Sequence, residues 1–196
     1  MERRRTLMPR QRTIDRRMLF QETEKLIVEE GYHSFHFKAL SERLGVARST
    51  IYNYYAKKEE LVTAYMLDKL EQVFAQLDEA DRQANFSVRM KAYIRVWVQQ
   101  ASVHQAFDIF PVMDHHASAQ VEINVEQLQQ YLGQLGSRAS TLIEAGKKEG
   151  AIRGDLPTQG ITRLLMVAVQ APDPSLSEEE WVETIYNIFL NGIRHP

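Results

Sequence analysis

Between Val121 and Gly146 the apolar and small residues fall at Val121, Val125, Leu128, Leu132, Leu135, Ala139, Leu142 and Gly146, with intervals that alternate four and three. Only an α-helix returns one face to the same side at that interval, so the stripe predicts a single helix of about seven turns. Two readings of it stay open: a coiled-coil seam, or a central core helix with Gln-rich flanks. Runs of alternating apolar and polar residues long enough for a strand are almost absent elsewhere, whereas helical spacing recurs along the chain. The expected fold class is therefore all-α.

Helices are expected over residues 14–30, closed by Gly31, over 37–44, closed by Gly45, and over 47–54. A longer fourth helix starts near Lys58 and carries Leu61, Tyr65, Leu70, Val73, Phe74 and Leu77; residues 78–85 read as a polar loop. Residues 88–103 are helical, with Tyr93, Trp97 and Ala101 four apart, and Pro111 interrupts the stretch 104–118. After the long stripe comes 158–170, whose run Leu164-Leu165-Met166-Val167-Ala168-Val169 is apolar all round and must be covered on both sides. Ser177 and Glu180 form a capping box opening a last helix that reaches about residue 193. About nine helices result: a three-helix N-terminal head joined by the long fourth helix to a C-terminal bundle.

Charge divides the chain at the same place. Residues 1–62 carry 13 Lys/Arg against 9 Asp/Glu, a charge of +4, while residues 63–196 carry 11 against 17, a charge of −6. Seven arginines (Arg3, Arg4, Arg5, Arg10, Arg12, Arg16, Arg17) crowd the first 17 residues. A basic head on an acidic body is what a chain needs if only its head meets a polyanion; a solvated, solubilising tail accounts for the arginines equally well. The 196 residues contain no cysteine, which excludes disulfides, thiolate metal sites and cysteine nucleophiles. No apolar run reaches membrane-spanning length and no signal-peptide pattern precedes the head, so the expectation is a soluble cytoplasmic protein.

The most informative segment runs from Phe37 to Tyr55. Leu40 and Leu44 on one short helix can face Val46 and Ile51 across a turn at Gly45, a helix–turn–helix hairpin. Its second helix presents Arg48, Ser49, Thr50, Tyr52 and Asn53, whose guanidinium, hydroxyls and amide suit base edges and phosphates. Lys58 adds a cation at the start of the next helix.

In these residues the chain resembles the TetR family of bacterial transcriptional regulators. The matching positions are Gly31-Tyr32, Ala39-Leu40, Leu44-Gly45-Val46, Ser49-Thr50-Ile51-Tyr52-Asn53-Tyr54-Tyr55 and Lys58-Glu59-Glu60-Leu61. The resemblance implies a head at 1–62 that binds double-stranded DNA and a body at 63–196 that binds a small-molecule effector and forms a homodimer. It implies a repressor on a palindromic operator; no cofactor and no catalytic role are expected. Residue by residue, it implies Tyr52, Tyr54 and Lys58 on phosphate, Arg48, Ser49 and Thr50 on bases, and Lys38 touching phosphate or base. His36, Ala47 and Lys57 stand where the family's usual capping residues are, and Glu22-Thr23 replaces a small pair. A lost cap costs about 1 kcal/mol.

Outside the head, Trp97, Phe107, Phe110 and Met113 are candidate effector-pocket residues. Leu164, Leu165, Ala168, Ile185 and Phe189 are candidates for a four-helix interface between two copies. His104, Asp114, His115 and His116 form the cluster nearest to a metal-ligand set, yet no two histidines share a helix face, and the expectation is no metal. No nucleophile elbow, phosphate-binding glycine loop or zinc-protease motif occurs. An architectural DNA-binding protein, or a ligand receptor whose head no longer binds DNA, are the readings of other classes.

Overall fold

The computed structural model describes residues 14–100, 108–171 and 173–193. Among them are eight α-helices and no strand: α1 Arg16–Glu30, α2 Phe37–Leu44, α3 Arg48–Tyr52, α4 Lys58–Asp81, α5 Phe86–Gln99, α6 Ala119–Lys148, α7 Thr158–Gln170 and α8 Glu178–Ile193. A 3₁₀ turn, Phe110–Val112, sits where Pro111 removes a backbone donor. His104 and Phe107, the arginine-rich arm up to Arg12, and the expected helical extension past residue 100 lie outside the described residues.

Helix starts follow local caps. The Asp15 side chain accepts from the Arg17 N–H at 3.1 Å and sets α1 two residues later than the apolar pattern alone suggests. Asn85 accepts from Ser87 and Val88, so α5 begins at Phe86. Ser177 and Glu180 exchange the bonds of the predicted capping box, which opens α8. The expected loop at 78–85 is shorter than the pattern implied. Helix α4 runs through Asp81 because Ala80 is buried and Asp81 accepts a bond from Tyr93 Oη at 2.5 Å, which holds the last turn against α5.

One apolar core runs through the whole molecule. In the head, Leu19, Leu26, Phe35, Leu40 and Ile51 are fully buried between α1, α2 and α3. Leu61, Val62, Tyr65, Met66 and Leu70 on α4 continue that core into the body without a break. Helix α4 therefore belongs to both parts, and a rotation of the head must move its first turns.

The long stripe resolves as a core helix. Val121, Val125, Leu128, Ala139, Leu142 and Gly146 are buried, and α6 packs most extensively along α4. Leu132 and Leu135, midway, are only half-covered. At Gly146 a Cβ would lie 2.5 Å from the Phe86 ring and 2.8 Å from Ile152, so a larger residue must displace those two side chains. Helix α8 is tied to α5 by a bidentate Arg95–Glu179 pair (2.7 and 3.2 Å), by Lys91–Glu183 and by Gln99–Glu178 at 2.8 Å.

Candidate nucleic-acid interface

Gly45 adopts φ 62° and ψ 35°, the left-handed conformation that glycine reaches without a Cβ clash, and this turns the chain sharply from α2 to α3. The Gly45 and Val46 N–H groups bond back to Glu42 and Ser41 carbonyls, closing α2. Ile51 is fully buried beneath α3 and fixes the helix's rotation. With Ile51 inward, Arg48, Ser49, Tyr52, Asn53 and Tyr54 are left exposed and Thr50 half-buried. Lys38, on the first turn of α2, is exposed too.

Tyr52 is held rather than free. Its ring stands edge-on to Phe37 with centroids 5.0 Å apart, and the Arg48 guanidinium lies 6.0 Å from its centroid. The aromatic contact orients the phenol, and the cation over the ring places Arg48 at the head of α3. Lys58 is different. Its ammonium lies 4.3 Å from the Tyr32 centroid and donates to the Tyr32 carbonyl at 3.4 Å, so it binds the end of α1 to the start of α4 within the head. Tyr32 Oη in turn donates to Glu59 at 3.2 Å; burial and the Glu59 carboxylate hold its hydroxyl well above the ordinary tyrosine range. Truncating Lys58 therefore disturbs packing as well as charge.

The three unusual caps have three different outcomes. His36 does cap α2, its Nδ1 accepting from the Ala39 N–H at 3.1 Å. Lys57 carries no acceptor, but Glu60 reaches back to the Ala56 and Lys57 N–H groups at 2.8 and 3.4 Å and does half of that work. Ala47 leaves α3 without a side-chain cap. We expect Ala47→Ser to raise stability in denaturant unfolding by about 1 kcal/mol; unchanged stability would show that α3 needs no cap.

The body residues are distributed unevenly. Trp97 and Met113 are buried, Phe110 is half-buried, and Trp97 packs edge-on to Tyr93 at 5.2 Å. An open cleft of about 740 Å³ lies instead between α4, α5 and α6, lined by Phe74, Asp81, Tyr93, Gln134, Arg138 and Leu142 among others. Arg138 crosses it to pair with Asp78 and, at 2.6 Å, with Asp81. Nothing in the sequence periodicity pointed to this cleft, because its walls come from three helices far apart in the chain.

Of the residues expected at a subunit interface, Leu165 and Ile185 are buried within the chain's own core. Ala168 and Phe189 are half-buried, and Leu164 is 66% exposed. Val167 and Ile188, each 65% exposed, complete the outward apolar face on α7 and α8. Single-face burial explains the difference: a helix packed on one side hides every third or fourth residue and exposes those between.

His115 Nε2 bonds to the Phe110 carbonyl at 2.6 Å and His116 Nδ1 to Glu122 at 2.8 Å, so the two rings point to different partners. Among the described residues no three His, Asp or Glu side chains converge as a metal site requires, and no helix is long and apolar enough to cross a membrane.

Residues 19–65, which span α1 to the first turns of α4, match the family model for bacterial regulatory proteins of the tetR family. In that segment the chain is similar to TetR-family proteins. Its fold is shared well beyond that segment. The ketosteroid transcriptional regulator KstR2 of Mycobacterium tuberculosis superposes with a TM-score of 0.78 at 18% identity, covering 95% of this chain and 98% of KstR2. FadR from Bacillus subtilis in complex with stearoyl-CoA gives 0.67 at 14% identity, covering 92% and 100%. AibR in complex with isovaleryl coenzyme A and operator DNA gives 0.70 at 16% identity, covering 88% and 96%. No curated protein sequence matches the chain. These likenesses show a shared fold over the head and body together.

Proposed function

We propose that this protein is a TetR-family, ligand-responsive repressor that binds a palindromic operator as a homodimer in the cytoplasm and leaves it when a small molecule binds the body. The observation that carries the reading is the surface of α3 and the turn after it: Arg48, Ser49 and Tyr52 stand exposed on one short helix whose rotation is fixed by buried Ile51, with Asn53 and Tyr54 exposed directly after it. Such a helix fits the major groove, where Arg48 reads guanine and the tyrosine hydroxyls meet phosphate. The outward apolar residues Leu164, Val167 and Ile188 support a two-fold dimer, which sets two heads on half-sites about one helical turn apart, roughly 34–36 Å. The cleft at Arg138 and the core around Trp97, Phe110 and Met113 are the two places for an effector. Binding to either switches the protein only if the ligand prefers the geometry that does not fit DNA.

Selection of bound sequences from a random DNA library by the purified protein tests the reading. An enriched inverted repeat is the expected result. Recovery of unrelated sequences with long protected tracts indicates an architectural protein instead, and no recovery at low salt indicates a receptor without DNA binding. The arginine-rich arm is proposed to follow the DNA backbone or minor groove. Deleting residues 1–9 is then expected to lower affinity and flatten its salt dependence while leaving the subunits associated, as measured by binding titrations across a salt series.

A further inference from the structure

Head and body are joined by more than the continuity of α4. At the start of α4, Glu60 Oε1 accepts from Ser118 Oγ at 2.7 Å, while Glu60 Oε2 accepts from the Ala56 and Lys57 N–H groups. Lys57 Nζ donates to the Ala117 carbonyl. One turn further along, Asn124 Nδ2 donates to Thr63 Oγ1 at 2.8 Å, and Asn124 Oδ1 accepts from Gln120 at 2.9 Å. Thr63 is fully buried and Asn124 is 5% exposed. Ser118 is also the N-cap of α6, accepting from the Val121 N–H. Three bonds in successive positions thus pin the first turns of α4 to the first turns of α6. Apolar side chains tolerate sliding; a buried, hydrogen-bonded amide–hydroxyl pair permits one register. Burial opposes ionisation of Glu60, yet the bonds from Ser118, Ala56 and Lys57 hold its carboxyl below its ordinary value, so it is a charged acceptor near neutral pH.

Resting on the repressor reading above, we propose that this polar latch fixes the angle of the head on the body and so sets the half-site spacing that the dimer accepts, with Glu60 and Asn124 as positioning residues that touch no DNA. The neighbouring segment supplies the route by which the body reaches the latch. His115 binds the Phe110 carbonyl and lies tilted against the Phe110 ring with centroids 4.5 Å apart, and Met113 between them is buried in the body core. A shift of Phe110 and Met113 is delivered to Ala117 and Ser118 within a few residues, where it strains the bonds to Lys57 and Glu60.

Ser118→Asp separates latch from cap. Aspartate caps a helix as well as serine does, so α6 keeps its start, but its carboxylate faces that of Glu60 and repels it. Adding Glu60→Gln removes the repulsion: the new amide donates to the introduced carboxylate while its carbonyl accepts from the Ala56 N–H. Because the chain has no cysteine, Glu42→Cys on the exposed face of α2 and Glu126→Cys on the exposed face of α6 each take one spin label, and dilution with unlabelled chain isolates the distance within one subunit. The parent is expected to show one narrow head-to-body distance, Ser118→Asp a shifted or broadened one, and the double variant the parent's. On the selected operator and on versions lengthened or shortened by one base pair, Ser118→Asp is expected to lose about tenfold of the parent's spacing discrimination, and the double variant to regain it. Parent-like distances and spacing preference in Ser118→Asp overturn the latch. If the parent selects no inverted repeat, the repressor reading fails, and the spin-label distances still decide whether the latch holds the head.

Discussion

Leu164→Glu combined with Ile188→Glu is expected to give a folded monomer that no longer protects an operator. Both side chains are about two-thirds exposed in the single chain, so replacing them costs the monomer little. In a two-fold dimer each substitution appears twice, and four carboxylates enter an apolar interface without partners. An unpaired buried charge costs several kcal/mol, so the dissociation equilibrium is expected to shift towards monomers by about a hundredfold or more. Operator affinity then falls with it, because a single head has lost the second half-site. Sedimentation reads the mass and helical circular dichroism reads the fold. A dimer that survives both glutamates places the interface elsewhere. The matching pair Leu165→Glu and Ile185→Glu unfolds the chain instead, since both residues are buried in its own core.

The second large effect concerns what reads bases and what only holds the backbone. Arg48→Ala is expected to relax the preference at one base pair of each half-site, at a cost of about 1–3 kcal/mol. Tyr54→Phe removes one exposed hydroxyl and keeps the ring, so it is expected to weaken selected and random DNA alike. Tyr52→Phe retains the edge contact with Phe37 and belongs with Tyr54→Phe. The comparison needs two titrations per variant, one on the selected operator and one on random DNA. If Arg48→Ala weakens both equally, Arg48 is a phosphate contact and sequence is read elsewhere on α3. Lys58→Ala is a poorer probe than the motif suggests, because its ammonium serves Tyr32 within the head.

Chain order alone carried the all-α class, the span of α2 and α7, the capping box at Ser177, and the helix–turn–helix with its exposed α3 side chains. These rest on local physics: the 3.6-residue period, the left-handed turn that Gly45 permits, and side-chain acceptors that fill free N–H groups within three residues. Helix ends were less legible where a distant partner decided them, as with Asp81, whose carboxylate is held by Tyr93 and Arg138. The same limit explains His36. The resemblance implied a missing cap, and the ring's orientation supplied one. Which apolar residues of α7 and α8 face outward was also beyond the pattern, since a helix that is apolar all round does not say which neighbour covers it. Tertiary packing alone buried Leu165 and Ile185 while exposing Leu164, Val167 and Ile188, and it alone brought Lys57, Glu60 and Thr63 against Ala117, Ser118 and Asn124. Those partners lie about sixty residues apart, and a hydrogen bond across that distance leaves no periodic trace in a single sequence, because its strength depends on orientation in space and not on spacing along the chain.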